Sequence, residues 1–125
     1  MERQTKQREA IRELFKPDGD PLSPQEILEL AGQSVPKLSM ATVYRTIRSL
    51  EELGEITPVE LPGEPARYEL AGKAHHHHFK CDECGRAFDV NKCPGNLSQM
   101  LPAGFTLRAH EITLFGSCDA CNCAE

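Results

Sequence analysis

Apolar positions recur at helical spacing three times in the first half of the chain, and at alternating spacing later. Ala10, Ile11, Leu14 and Phe15 form the first stripe and predict a helix over Arg3–Phe15, stopped by the turn cluster Pro17-Asp18-Gly19-Asp20-Pro21. In the next segment, Ser23 suits an N-cap, Pro24 the first helical position, and Glu26 the return arm of a capping box. Ile27, Leu28, Leu30 and Ala31 give that helix its buried face, and Gly32 can end it. A third helix is expected from Ser39 to Leu53, closed by Gly54, with Val43, Ile47, Leu50 and Leu53 turned inward. Ile56–Val59 and Ala66–Leu70 then read as two strands around a turn at Pro62-Gly63.

Three helices followed by a hairpin predict a winged-helix domain. Thr42, Tyr44, Arg45, Arg48 and Ser49 fall away from the inward stripe of the third helix. An aromatic, two cations and small hydroxyls suit a recognition helix, whose first turns meet base edges while its cations meet phosphates. Arg67, on the wing, is expected to reach phosphate. A solvated surface or a protein-interaction module would show the same face. Charge limits the DNA reading: the chain carries a net −5, and residues 1–70 hold nine Lys/Arg against thirteen Asp/Glu. A general basic patch is absent, so DNA contact requires a local basic face.

The second half carries different chemistry. All six cysteines lie between Cys81 and Cys123, and all five histidines between His75 and His110. This shift predicts a DNA-binding domain over residues 1–70, a hinge over 71–74 and a metal-binding domain over 75–125. Such small domains bury little apolar surface and usually need a metal, a disulfide or a partner chain. No apolar run is long enough to cross a membrane, and the N-terminus lacks a signal-peptide core, so a cytoplasmic protein is expected. Cysteines stay reduced there, which favours metal over disulfide. Cys81-x-x-Cys84-Gly85 and Cys118-x-x-Cys121 can close a tetrahedron of four sulfurs around structural zinc. A redox pair would want a βαβ context that is missing.

His75 to His78 run consecutively. In extended backbone, neighbours point to opposite faces, so one tract can feed two sites. His76 and His78 share one face, with Glu69 and Asp89 as candidate co-ligands. His75 and His77 share the other, with His110 and Cys93. Nitrogen–oxygen sets admit zinc, iron(II), manganese or nickel. Ala87–Val90 is expected as a strand, Pro94–Leu101 as a short helix, and Phe105–Phe115 as a bent strand or strand pair whose apolar face or edge favours pairing of two chains. Cys123 is left as a spare thiol.

Along nearly its full length the chain resembles the ferric uptake regulator family. The resemblance rests on Arg3-x-Thr5-x-Gln7-Arg8-x-x-Ile11, Ala41-Thr42-Val43-Tyr44-Arg45, Arg67-Tyr68-Glu69-Leu70, the histidine tract, both cysteine pairs, and His110 ahead of Leu114-Phe115-Gly116. It implies an α+β homodimeric repressor of double-stranded DNA, with structural zinc held by four cysteines. The operator would be palindromic and AT-rich. Tyr44 matches a base-contacting tyrosine and Arg45 a backbone-contacting arginine. Glu69, His76, His78 and Asp89 match a hinge-spanning regulatory site; His75, His77 and His110 match a second site. The chain departs from the pattern at Pro21, near where many members place a histidine ligand, and at His77, where an aspartate is common. The second site's usual glutamate has no clear match, and Cys93 lies nearby instead. More nitrogen and sulfur, and fewer carboxylates, favour zinc sensing and control of metal uptake. An iron- or peroxide-responsive regulator is the alternative within the family. A zinc-binding interaction module is the alternative without DNA. No metallohydrolase or deaminase motif occurs, so an enzyme is not expected.

Overall fold

Capping side chains decide where the helices begin. Ser23 Oγ accepts the Glu26 amide (3.1 Å) and Glu26 Oε1 accepts the Ser23 amide (3.0 Å), so two otherwise orphaned donors are satisfied at the start of α2 (Pro24–Gly32). Ser23→Ala is expected to lower stability by about 1 kcal/mol, read from the urea midpoint. Ser39 caps α3 (Met40–Glu52) by accepting the Thr42 amide (3.2 Å). The first helix, α1 (Glu2–Arg12), is shorter than the expected Arg3–Phe15. Its last turn tightens, with the Leu14 amide reaching the Ile11 carbonyl and Phe15 that of Arg12, and Phe15 still buries.

The computed structural model describes residues 2–122, and Cys123 lies outside them. Its contacts divide the chain into two units between Lys73 and Ala74. In the first unit, Ile11, Phe15, Ile27, Ala31, Leu38, Val43, Ile47, Leu50 and Ile56 form one core between the three helices and the hairpin. Leu53 departs from the expected inward stripe. It is the C-cap of α3 and stands 61% exposed, because the helix ends before another turn can bring it back to the core. Gly54 (φ +77°) then turns the chain into β1 (Ile56–Val59), a left-handed backbone that glycine adopts without strain. β1 pairs antiparallel with β2 (Arg67–Leu70), Ile56 opposite Leu70, and Tyr68 also bridges to Leu22. This is a winged helix.

The wing corrects one expectation. Strand alternation turns both Arg67 and Glu69 inward. Arg67 is 5% exposed and donates to Glu26 (2.8 Å), to Glu64 (3.1 Å) and to the Pro21 carbonyl (3.3 Å). Its cation is engaged inside the fold, where phosphate cannot reach it.

The second unit is a three-stranded sheet. β3 (His77–Cys81) lies between β4 (Ala87–Val90), antiparallel, and β5 (Thr113–Gly116), parallel. The short helix α4 (Asp119–Asn122) follows. The expected Pro94–Leu101 helix shrinks to one 3-10 turn, Leu97–Met100; Gly95, at φ +76°, keeps the preceding residues out of helical backbone. The expected Phe105–Phe115 strand forms only from Thr113, since residues 105–112 find no strand to pair with among the described residues. Met100, Phe105, Leu114 and Phe115 are left largely exposed. Among the described residues, the buried apolar side chains of this unit are Cys81, Ala87 and Cys118 alone. None of the described helices is long and apolar enough to cross a membrane.

Candidate metal centres and nucleic-acid interface

Cys81 ends β3, Cys84 follows one tight turn later, Cys118 lies just past β5, and Cys121 sits in α4. Gly85 (φ +82°) closes the first turn, and a Ser117–Glu83 side-chain hydrogen bond ties the two turns together. Cys81 Sγ lies 3.6 Å from Cys121 Sγ, and Cys84 Sγ 3.8 Å from Cys118 Sγ. These separations are too long for disulfides. They match the edge of a zinc–sulfur tetrahedron, about 3.8 Å for bonds of about 2.3 Å. Amides of Cys84 (3.4 Å) and Cys118 (3.3 Å) donate to Cys81 Sγ. These amides draw the Cys81 thiol down to about 6, so it is a thiolate at neutral pH. The Arg86 amide, followed by its guanidinium, lowers Cys84 as well. That guanidinium sits 4.0 Å from Cys118 Sγ and stacks over Phe88. Cys121 is driven the other way, first by its hydrogen bond to Cys81, then by burial. Four sulfurs this close cannot all be anionic without a cation among them, so the donor set fits a thiophilic divalent ion.

The histidine tract divides between two clusters in the second unit. On one side, His76 Nε2 and His78 Nε2 lie 3.6 and 3.5 Å from Asp89 Oδ1, with Asp89 paired opposite His78 across the sheet. Nitrogen and oxygen ligands at about 2.1 Å in a tetrahedron stand about 3.4 Å apart, so this spacing also fits an ion. His76 Nδ1 contacts the Ala74 carbonyl (2.8 Å), which orients the ring. On the other side, His75 Nε2 and Cys93 Sγ each lie 3.2 Å from His110 Nε2. The His77 ring packs against His75 and His110, with centroids 4.6 and 5.0 Å away. The Ile112 amide donates to His77 Nδ1 (3.1 Å), while His77 Nε2 is buried without a hydrogen-bond partner. Burial foremost, then the neighbouring imidazoles, lowers the His77 pKa, so the ring is neutral. A buried, orphaned nitrogen beside two imidazoles and a thiol suits a bound cation.

Glu69 belongs to the first unit. It faces inward from β2, and its carboxylate lies 3.4 Å from Lys73 Nζ. Lys73 carries no pattern of its own in the sequence. Only its spacing of four from an inward-facing acid hinted at the pair, and that spacing is informative on helices rather than strands.

On α3, Tyr44, Arg45 and Arg48 are exposed and Thr42 is half-buried. Ser39 Oγ donates to Thr42 Oγ1 (3.1 Å), as does Arg45 (3.1 Å), so a hydroxyl relay aims Arg45 along the helix N-terminus. Arg8 of α1 donates to Ser49 Oγ (2.8 Å), a further cation beside α3. That contact joins two helices far apart in sequence and left no local signal.

The ferric uptake regulator family model matches residues 2–115. The chain belongs to the ferric uptake regulator family. Its members are metal-responsive transcriptional regulators. A ferric uptake regulation protein of Campylobacter jejuni is 34% identical over 94% of this chain and 78% of its own. The Helicobacter pylori ferric uptake regulator, described as having three functional metal-binding sites, is 29% identical and superposes with a TM-score of 0.67 over 96% of this chain and 82% of its own. A zinc-bound manganese uptake regulator is 27% identical, with a TM-score of 0.75 over 89% and 86%. These names span three metals and leave the sensed ion to the chain's own donor atoms.

Proposed function

We propose that this chain is a homodimeric, zinc-responsive DNA-binding repressor of metal-uptake genes, working in the cytoplasm. The observation that carries the reading is the composition of the clusters within the second unit: four sulfurs in one, three imidazoles and a thiol in another, two imidazoles and the Asp89 carboxylate in the third. Sulfur and imidazole favour zinc over harder ions. Cys81, Cys84, Cys118 and Cys121 would hold structural zinc. His75, His77, Cys93 and His110 would hold a second ion. His76, His78 and Asp89, with Glu69 from across a hinge at residues 71–74, would hold the regulatory ion, for which iron(II), manganese and nickel are the competitors. The bound cation supplies a positive centre that draws these ligands together.

The regulatory step is a population shift. Glu69 moves with the winged helix, and His76, His78 and Asp89 move with the sheet. When all four share one ion, the two recognition helices of a dimer are held for successive major grooves, roughly 34 Å apart. Thr42, Tyr44, Arg45 and Arg48 then meet the operator. Exposed Phe105, Leu114 and Phe115 offer the apolar surface on which two chains would pair. A tenfold bias toward the DNA-competent form corresponds to about 1.4 kcal/mol of coupling.

Fluorescence anisotropy on a palindromic AT-rich duplex, titrated against free zinc, iron(II), manganese and nickel, tests this reading. Zinc is expected to tighten binding at least tenfold at the lowest free concentration of the four. His76→Ala with His78→Ala is expected to flatten that response while circular dichroism stays unchanged. Affinity indifferent to every metal would remove the sensing claim. A response led by iron(II) would transfer it to the harder ion.

A further inference from the structure

We propose that Lys73 is a built-in competitor for Glu69 that raises the metal concentration at which this regulator responds. The proposal rests on the reading of Glu69 as a regulatory ligand. Glu69 is turned inward by the alternation of β2 and is 5% exposed. A buried carboxylate needs a cation or several donors close by. Gly72 (φ +84°) reverses the backbone just past β2, a geometry that side chains other than glycine resist, and so folds Lys73 back along the strand. Lys73 Nζ lies 3.4 Å from Glu69 Oε1 and donates to the Gly19 carbonyl at 2.5 Å. The lysine side chain is 9% exposed and the glutamate's 6%.

The arrangement fixes an ammonium beside the carboxylate, with the Gly19 carbonyl as its second anchor. Gly19 is itself set within the turn ahead of α2, its amide donating to the Lys16 carbonyl at 2.9 Å. Lys73 therefore belongs to a preformed site and not to a loose surface pair. A divalent cation arriving at Glu69 meets a like charge a few ångströms away. Either the ammonium withdraws, breaking its contacts to Glu69 and Gly19, or it stays and repels the ion. Both routes weaken metal binding. Glu69 is thus neutralised in the metal-free chain and released as the ion loads. Lysine suits the role, because its flexible stem can swing away where a bidentate arginine fork would hold on.

The test measures zinc affinity of the full chain by competition with a chromophoric chelator. The four-cysteine site is kept loaded, and a His110→Ala background removes the other histidine cluster from the titration. Lys73→Met, which keeps the apolar stem and drops the charge, is expected to tighten zinc binding about tenfold. Lys73→Arg, which keeps the charge, is expected to stay at or below the parent affinity. Glu69→Gln should weaken binding, and Lys73→Met added to Glu69→Gln should then change nothing. If Lys73→Met leaves affinity unchanged, weakens it, or tightens it equally in the Glu69→Gln background, the competitor role is overturned and Glu69 keeps its role as ligand. The same holds if Lys73→Arg tightens binding as Lys73→Met does. If Glu69→Gln itself has no effect, the ligand reading of Glu69 falls, and the proposal with it.

Discussion

Cys81→Ser is expected to strip one zinc from each chain and unfold the second unit, while the winged helix stays folded. The reason is the thinness of that unit's interior. Its buried apolar side chains, among the described residues, are Cys81, Ala87 and Cys118, and two of these are candidate ligands. Cys81 is fully buried, receives two amide hydrogen bonds, and is drawn down to about 6 as a thiolate. A serine hydroxyl there stays protonated and binds zinc poorly. Structural zinc in comparably small units contributes about 10–16 kcal/mol at neutral pH, far more than a sheet of this size supplies by burial. The first unit has a core of its own, from Ile11 to Ile56, that includes none of these residues. Amide NMR reads both halves at once: signals of residues 74–122 should collapse to random-coil positions, and those of the helices should persist. A strong chelator should do the same to the parent chain. A Cys81→Ser protein with full zinc and a dispersed spectrum would show that the four sulfurs are not what holds this unit together.

Arg67→Met is expected to destabilise the winged helix by about 3 kcal/mol. Removing one partner of a buried ion pair strands the other, at about 3–5 kcal/mol. The lower end applies because Glu26 and Glu64 keep side-chain exposures of 24% and 18%, so water can reach them. Three links fail together. Glu26 loses the guanidinium that shares Oε1 with the Ser23 cap, Glu64 loses its link to Arg67, and the Pro21 carbonyl loses that donor. Arg67→Lys should recover only part of the loss, because a single ammonium cannot span all three acceptors as the planar fork does. The urea midpoint, at unchanged slope, measures it. A loss under about 1 kcal/mol would mean that both carboxylates turn out to solvent without strain.

The starts of the helices were legible in the sequence because capping is local: Ser23, Glu26 and Ser39 act within three residues of themselves. The ends were not. Phe15 and Leu53 keep the helical spacing of apolar residues beyond the last regular turn, and spacing alone cannot tell a continuing helix from a tightened one. The Phe105–Phe115 alternation signalled a strand, but a strand needs a neighbour, and residues 105–112 have none among the described residues. Arg67 was misread by residue type. A charged side chain on a wing suggests solvent, whereas the two-residue period of β2 places it on the same inward face as Glu69. The candidate ligands of the second unit were legible because cysteine spacing and strand alternation are both short-range rules. The groups that surround them were not. Arg86 beside Cys118 and Arg8 beside Ser49 depend on contacts between distant segments, and Lys73 beside Glu69 on a turn at Gly72.

Four identical side chains in a row have a consequence for the ladder beside them. If β3 slid by one residue against its neighbours, the even and odd histidines would trade faces, and three of the four positions would still present an imidazole, with Ala74 or Phe79 at the fourth. Ligand chemistry alone would reject the mistake only weakly. Ions would be misrouted rather than refused. The burden of telling the two alignments apart falls on apolar residues, Phe79 locked opposite Phe88 on one flank and Leu114 on the other. Substitutions at those three positions are thus changes to the wiring of the sensor, although none of them can touch a metal.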